Sequence, residues 1–512
     1  MLVNRSICAS LAFVPQDAAN TRLRAGIRPP VPIRGGTNTL AIDSNRGLTI
    51  IGTPAASTLG WVSWSLFEWA RNPYVILVTI YIFAPYFSKH VVGDPVEGQA
   101  LLGFASSLSG AAIAVLAPFL GAISDKSGRR KPWIVAFVLI MTPAIYLLWF
   151  ALPGGAGIGI WGALGLMMVV SVCFEFGAVF HNAMLPSVAP VKLIGYASGL
   201  ALALGNLAAL VLMVGVLYAW ALPGEVTWSF IPKVPLFGLD QHTFEHNRIV
   251  APLAAVWLLV FALPLFLFTP DGVSKGYSIR GSIREGLKDV VKTLRALRHY
   301  KNVALYLFGR MIFNDGMGGV LTFGGVYVAG TFNWEAIEML IFGIITSFSA
   351  AIGAMIGGQL DDRLGSRKTI LLAVGGTAAL LAVAVMIRPD SLFFIPLPDG
   401  MTPVWNSPYF DTLPELLYFG NTQLFAMFIT VAFASGRTML ARIAPTELMT
   451  QFFGLFALSG TATAFVGPAV VGFFTATFHS QRAGFASLLI LLFGGFVMMF
   501  FVTEERATVA EG

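Results

Sequence analysis

The chain has 512 residues, 56% of them hydrophobic and only 11% charged, with a mean hydropathy of +0.77. No water-soluble domain reconciles a core and a polar surface with that composition, so the chain reads as an integral membrane protein. Its formal charge of +6 does not imply nucleic acid, because Lys and Arg gather in short segments between apolar runs, and two cysteines, Cys8 and Cys173, suggest neither a disulfide framework nor a metal site.

Residues 1–58 are polar, rich in Arg, Pro, Asn and Thr, and without helical period, so they are expected to be a disordered cytoplasmic segment. The run Ile7–Val14 after Arg5 is not taken as a signal peptide, since cleavage there would invert the charge pattern downstream. Twelve apolar stretches of spanning length follow, at 61–87, 99–124, 132–152, 157–180, 193–219, 250–268, 302–330, 336–360, 369–387, 416–436, 450–476 and 482–502. Each is too long and too continuously apolar for a barrel strand, and a helix satisfies its own backbone in lipid. The predicted fold is therefore an all-α integral membrane protein of twelve transmembrane helices in two six-helix bundles, 59–268 and 302–503, with a short tail at 504–512.

Basic residues mark one side. Between the bundles, 269–301 carries Lys275, Arg280, Arg284, Lys288, Lys292, Arg295, Arg298 and Lys301, with apolar residues at helical spacing. It reads as an amphipathic helix on the inner leaflet, and the positive-inside rule then places both termini in the cytoplasm, most simply of a bacterial inner membrane.

The chain repeats itself. GAISDKSGRRKPW from Gly121 and GQLDDRLGSRKTI from Gly358 align without gaps, matching Gly121, Asp125, Gly128, Arg130 and Lys131 to Gly358, Asp362, Gly365, Arg367 and Lys368, with Arg129 completing the first basic run. A second pair, MLPSVAPVKLIGYASGL from Met184 and MLARIAPTELMTQFFGL from Met439, supports two homologous halves. Gly128 and Gly365 suit the positive φ of a tight turn, Gly121 and Gly358 suit close helix packing, and Asp125 and Asp362 at the membrane boundary each want a cationic partner.

This repeated motif resembles the cytoplasmic loop signature of the major facilitator superfamily. FEWARNPYVILVTIYIFAPYF, FHNAMLPSVAP, FNDGMGGVLTFGGVYVAG and FFGLFALSGTATAFVGP resemble, more narrowly, the bacterial permeases related to the autophagy-associated vacuolar effluxers. The resemblance implies a cytoplasmic gate built on the motif charges and, from the fungal relatives, amino acid export. The group often has D-W-A-N-S where this chain has Glu68, Trp69, Ala70, Arg71 and Asn72, which adds a charge pair to the first helix.

Ionisable groups inside the spans are the default functional candidates, because each is costly unless paired or hydrated. Glu68 and Arg71 lie three apart and can pair on one helical face. Arg310, Asn314 and Asp315 lie in the seventh span, where Asn314 takes a position comparable to Asn72 and Gly316, Gly318 and Gly319 suggest a helix break. Glu175 lies in the fourth span, and His181 is expected at its interfacial end. Either Asp315 or Glu68 is the expected proton-coupling acid, and Arg71 and Arg310 could hold a substrate carboxylate.

The function these features point to is secondary active transport of a small polar solute by alternating access, with amino acids and protons as the leading substrate and coupling ion. A sugar or glycoside permease is the alternative within transport, and a non-transporting receptor or scaffold the alternative outside it. No Walker loop, H-E-x-x-H, G-x-S-x-G or Cys/His cluster appears, so no enzyme, cofactor or metal is expected. The partners expected are the substrate and the bilayer, around a monomer.

Overall fold

A computed structural model describes residues 47–505 apart from 50–52, 128, 191–192, 227, 273–280, 282–283, 285–287, 289–294, 296, 398–401, 446–451, 453–454, 457–458 and 461, with only the backbone of 117–118, 121–127, 194–195 and 441. All of these belong to one compact unit, Arg46–Gly512.

Among the described residues the main helices in chain order are α1 Thr58–Val91, α2 Pro95–Ser127, α3 Lys131–Leu147, α4 Gly159–Val188, α5 Ile194–Val216, α6 Val250–Phe268, α7 Lys301–Phe332, α8 Ala336–Leu364, α9 Ser366–Ala384, α10 Leu413–Ile443, α11 Val466–Phe478 and α12 Gln481–Phe500, ten of which, all but α7 and the shorter α11, are long and apolar enough to cross a membrane. Large apolar side chains such as Trp161, Phe348 and Phe493 are exposed on their outer faces. In water that surface would drive association, whereas lipid accepts it.

The two halves repeat one packing scheme. In the first, α1 packs on α6, α3 on α4 and α6, and α2 on α4; in the second, α7 packs on α12, α9 on α10 and α12, and α8 on α10. The halves meet mainly along α2 and α11, then along α1 and α7 and along α5 and α8. Glycine makes the first contact close: a Cβ at Gly103 would fall 2.6 Å from the Gly472 Cα, and one at Gly110 2.8 Å from the Phe465 nitrogen. Short strands β1 Ile387–Arg388, β2 Ser391–Leu392 and β3 Ile395–Pro396 form an antiparallel meander between α9 and α10.

Three expectations are corrected. The fourth helix runs to Val188 rather than ending near 180, which puts His181 inside the bundle with no exposed surface. The seventh helix is unbroken; Gly316 and Gly319 are needed for packing, since a Cβ at Gly319 would fall 2.5 Å from Leu488 of α12. Breaks occur instead in α1, which passes through π-helical turns at Tyr74–Tyr81 and Phe87–Val91 either side of Ile82 (φ −121), and before α11, where residues 462–465 form a turn.

The ends of the chain also differ from expectation where they are described. Residues 1–46 and 506–512 lie outside the described residues, as does most of the basic linker, within which 281, 284, 288, 295 and 297 have helical backbone. Residues 47–49 and 53–58 are packed rather than disordered: Thr49 and Ala55 are buried, and the Ala56 N–H donates to the Val188 carbonyl at 3.0 Å.

Candidate functional site

A cavity of about 310 Å³ lies between the halves, walled by α1, α2 and α4 on one side and by α7 and the approach to α11 on the other. Its wall is apolar with scattered hydroxyls, Ser106, Ser109, Ser171, Thr79 and Thr322, beside Tyr74 and Phe174. Glu175 is the one carboxylic side chain among the described residues of that lining. The chain breaks in α1 and before α11 both fall on this wall, at Tyr74, Val75 and Thr79 and at Ala464. Irregular backbone at membrane depth is tolerated where it lines such a space.

Glu68 and Arg71 pair as their spacing predicts, with Arg71 Nε 3.0 Å from both carboxylate oxygens. They do not stand alone. His181 Nδ1 lies 3.4 Å from Glu68, its Nε2 is 2.9 Å from the Trp64 carbonyl, and the Trp64 Nε1–H donates to the His181 carbonyl at 2.9 Å, with the two rings stacked. Arg71 also donates to the Phe174 carbonyl at 3.1 Å and lies over the Phe174 ring at 4.2 Å. The result is a closed charge network tying α1 to α4. Asn72 reaches α5 instead, at 3.5 Å from the Asn206 Oδ1.

The second half is built differently. Arg310 lies over the Phe456 ring at 3.5 Å and donates Nη1–H bonds to the Phe456 carbonyl and the Ser459 hydroxyl at 3.0 and 2.8 Å, with no acid paired to it among the described residues. Asp315 is 6% exposed, close to but not hydrogen-bonded with Thr463, and its backbone carbonyl is so near α11 that a Cβ on Gly467 would fall 2.7 Å away. Asn314, half-buried on α7, joins neither group. The candidates are thus not gathered at one point: Glu175 faces the cavity, Glu68 and Arg71 lie behind it, and Arg310 lies beside Gly460 on the opposite wall.

At the membrane face that carries α3's start and α12's end, the motif charges bind within each half. The Asp271 carboxylate accepts the Arg130 and Lys131 N–H groups at 2.9 and 3.3 Å, capping α3. Glu504 accepts the Ser366 and Arg367 N–H groups at 3.0 and 3.2 Å, capping α9 in the same way. Arg130 further reaches the Ser187 hydroxyl, Lys131 the Phe266 carbonyl, and Arg367 the Phe500 carbonyl. Burial alone would raise the Glu504 carboxyl, but its Arg442 hydrogen bond and those two N–H donors hold it below the usual carboxylate range.

Here too there are corrections. In the second motif copy it is Asp361, 4% exposed, that pairs with Arg442 at 3.0 Å, while Asp362 faces outward beside Arg363, and Lys368 is also exposed. Gly358 packs against nothing within 4 Å, and Gly353 and Gly357 make the close approach to α10 in its place. Gly365 has the expected positive φ, +84. Arg129 is exposed, Gly128 lies outside the described residues, and for Gly121 and Asp125 only helical backbone is described. No ion pair joins the two halves at this face among the described residues.

The opposite face does carry such pairs. Lys89, at the end of α1, bonds the Glu335 carboxylate and donates to the Trp334 carbonyl at 3.2 Å, and His90 Nε2 lies 3.2 Å from Glu335. Gln99 donates to the Thr475 hydroxyl at 2.9 Å, and Gln481 to the Pro95 carbonyl at 2.8 Å. Burial raises the Glu335 carboxyl, but the hydrogen bonds and charges of His90 and Lys89 bring it below its ordinary value. Sequence reading missed Glu335; the E-x-x-E spacing to Glu338, a capping box at the start of α8, was its one visible signal.

Comparison with known proteins fits this geometry. The family model described as vacuole effluxer Atg22 like matches residues 88–512. The uncharacterized MFS-type transporter YxiO of Bacillus subtilis (strain 168) is 24% identical over 454 residues, covering 87% of this chain and 95% of that protein. Autophagy-related protein 22 of Yarrowia lipolytica is 22% identical over 342 residues, and the match spans half of that protein's length. Among solved structures, a mutant form of the nucleoside transporter NupG and a D-xylose-proton symporter both align with a TM-score of 0.59, at 13% and 14% identity, over 87% of this chain and 98% and 97% of theirs. At that identity the likeness is one of fold.

Proposed function

The chain belongs to the vacuole effluxer Atg22-like family and is a multi-pass membrane protein of the MFS transporter fold. On that premise we propose that it is a secondary active transporter that moves a small polar solute by alternating access. The observation that carries the reading is the cavity between the halves, about 310 Å³ with the Glu175 carboxylate in its wall and interbundle bonds across the face that carries Glu335. That volume stands near the lower end of the range for small-molecule sites, about 300–1,000 Å³. Rocking the halves apart would break the Glu335 and Gln99 bonds and expose the same cavity to the other side.

Amino acids are the leading substrates, since an ammonium group suits Glu175 and the hydroxyl-bearing wall suits a compact polar body. Glu175, rather than Asp315 or Glu68, is the proton-coupling candidate: it faces the cavity, whereas Glu68 is already held by Arg71 and His181. Basic residues at the face with the capped α3 and α9 favour the cytoplasm for that face and for both termini, and a bacterial inner membrane is the location proposed. The hydroxyls also favour a second reading, a sugar permease.

Purified protein in liposomes with an imposed pH gradient tests both. Gradient-driven accumulation of L-leucine or L-lysine, lost in Glu175→Gln, supports the first. Accumulation of D-xylose alone supports the second, and gradient-independent equilibration unaffected by Glu175→Gln removes the coupling role.

A further inference from the structure

Arg310 and Arg71 occupy the same kind of position, a guanidinium over a phenylalanine ring in the first helix of its half, yet only Arg71 has an acid. Arg310 uses Nη1 for its two protein bonds, while Nε and Nη2 have no hydrogen-bond partner among the described residues and are not sealed from solvent. The neighbouring charge is another cation, Arg437 of α10, an exposed residue near enough to act on Arg310. A guanidinium inside the bundle without an acid, such as that of Arg310, is costly unless an anion or water completes it.

Two absences of side chain shape the space around Arg310. A Cβ on Gly460 would lie 3.7 Å from Arg310 Nη1 and 3.8 Å from Nη2, and one on Gly436 would lie 3.9 Å from Nε. Both contacts are of ordinary length, so glycine is not required there for packing. It leaves the guanidinium edge clear. Gly460 is also part of the wall of the central cavity, so the free edge of Arg310 sits one residue from the solute's proposed chamber.

We propose that Arg310 forms an anion subsite beside the central cavity that takes the carboxylate of the transported solute, with Arg437 adding positive field from α10. The inference rests on the transporter reading and deepens it: with Glu175 on the opposite half, the site would take a solute bearing separated positive and negative groups. The planar guanidinium offers two parallel N–H donors to such a carboxylate, a geometry lysine cannot reproduce. Arg71 is excluded from this role because Glu68 already occupies its Nε.

The test is binding, not transport, on the full chain in detergent. Arginine-selective labelling by phenylglyoxal is mapped by mass spectrometry with L-leucine, leucinamide, D-xylose, inorganic phosphate or chloride present, and melting temperature is followed in parallel. The expected result is protection of Arg310 by L-leucine but not by leucinamide or D-xylose, and a loss of L-leucine affinity of about 10- to 100-fold in Arg310→Lys. Arg437→Gln alters an exposed side chain, so it should melt normally and bind several-fold more weakly.

Labelling of Arg310 unaffected by L-leucine, or protection as strong with leucinamide, overturns the proposal. Protection by phosphate or chloride alone would make this a counter-ion site and equally overturn the assignment to the solute. The two readings can fail separately: D-xylose transport indifferent to Arg310→Lys removes the subsite and keeps the transporter, whereas L-leucine binding without any transport does the reverse.

Discussion

The two halves use one scaffold for two different electrostatic ends. The repeat that aligns Met184 with Met439 also aligns His181 with Gly436, and matching Asn72 to Asn314 aligns Trp64 with Tyr306 and Glu68 with Arg310. The structure obeys both alignments: Trp64 Nε1–H donates to the His181 carbonyl, and the Tyr306 hydroxyl donates to the Gly436 carbonyl. The same first-to-fourth helix bond therefore survives in each half. What surrounds it does not. In the first half an acid, an arginine and a histidine close on one another; in the second an arginine stands where the acid was, facing a glycine where the histidine was. Helix docking and charge placement have been separated, and the proposed anion subsite depends on that separation.

The largest way to break that comparison is to open the closed network. Glu68→Gln leaves Arg71 buried against Phe174 without its acid, and His181 without its nearest carboxylate. Removing one partner of a buried pair costs about 3–5 kcal/mol, so the variant should melt far lower in detergent, and Glu68→Gln with Arg71→Gln should recover part of the loss. Arg310→Gln, which strands no acid, should cost much less. Equal losses from Glu68→Gln and Arg310→Gln would mean that the halves are not electrostatically different in the way described.

Hydropathy and the repeat made the plan of two helical halves legible, and three-residue spacing the Glu68–Arg71 pair, because hydropathy, spacing and local helical geometry all lie along the chain. Positions fixed by packing between distant segments were not. His181 looked interfacial because it stands just past the apolar span 157–180, beside Asn182, yet α4 continues to Val188 and stacks His181 on Trp64. The glycines of α7 looked like a break, but only the apposition of Leu488 and Leu492 reveals them as contact points. Asp362 matched the motif, whereas the adjacent Asp361 is turned toward Arg442, a choice of helix face that the alignment alone does not make. Asp271 and Glu504 carry no motif signal beyond falling three and four residues past the ends of α6 and α12.

A second contrast, between the two membrane faces, gives a smaller and pH-dependent effect. Glu335 joins the halves through Lys89 and His90, with His246, Glu338 and Glu415 the other titratable groups around it. Its folded carboxyl lies below the ordinary value of 4.5, so its contribution is intact above 4.5 and is lost as pH falls through the lowered value. At neutral pH the bond is present. Because the Glu335 side chain is 44% exposed, Glu335→Gln should shift the balance of states by only about 1 kcal/mol. A cysteine replacing Thr322 in the cavity wall reads this as thiol labelling from the Glu335 side, rising about fivefold in the variant. Labelling unchanged by Glu335→Gln, or acid-induced opening that persists in it, would place the closure elsewhere, with Gln99 and Gln481 the next groups to test.

The smallest effect bears most directly on why the second half is open. If Gly436 were demanded by packing, any side chain there would strain α7 against α10. The geometry says otherwise: a Cβ would meet the Tyr306 hydroxyl at 3.5 Å and Arg310 Nε at 3.9 Å, both ordinary contacts, and the backbone there is helical. Alanine also restricts the unfolded chain and favours a helix interior, so Gly436→Ala should raise stability by about half a kcal/mol. Gly353→Ala on α8 serves as the opposing control, since its Cβ would fall 2.5 Å from the Met427 Cα. A stabilised Gly436→Ala that binds L-leucine more weakly would mean the glycine is kept for the space beside Arg310. A destabilised one would return it to packing, and with it the view that the two halves differ only in how they hold themselves together.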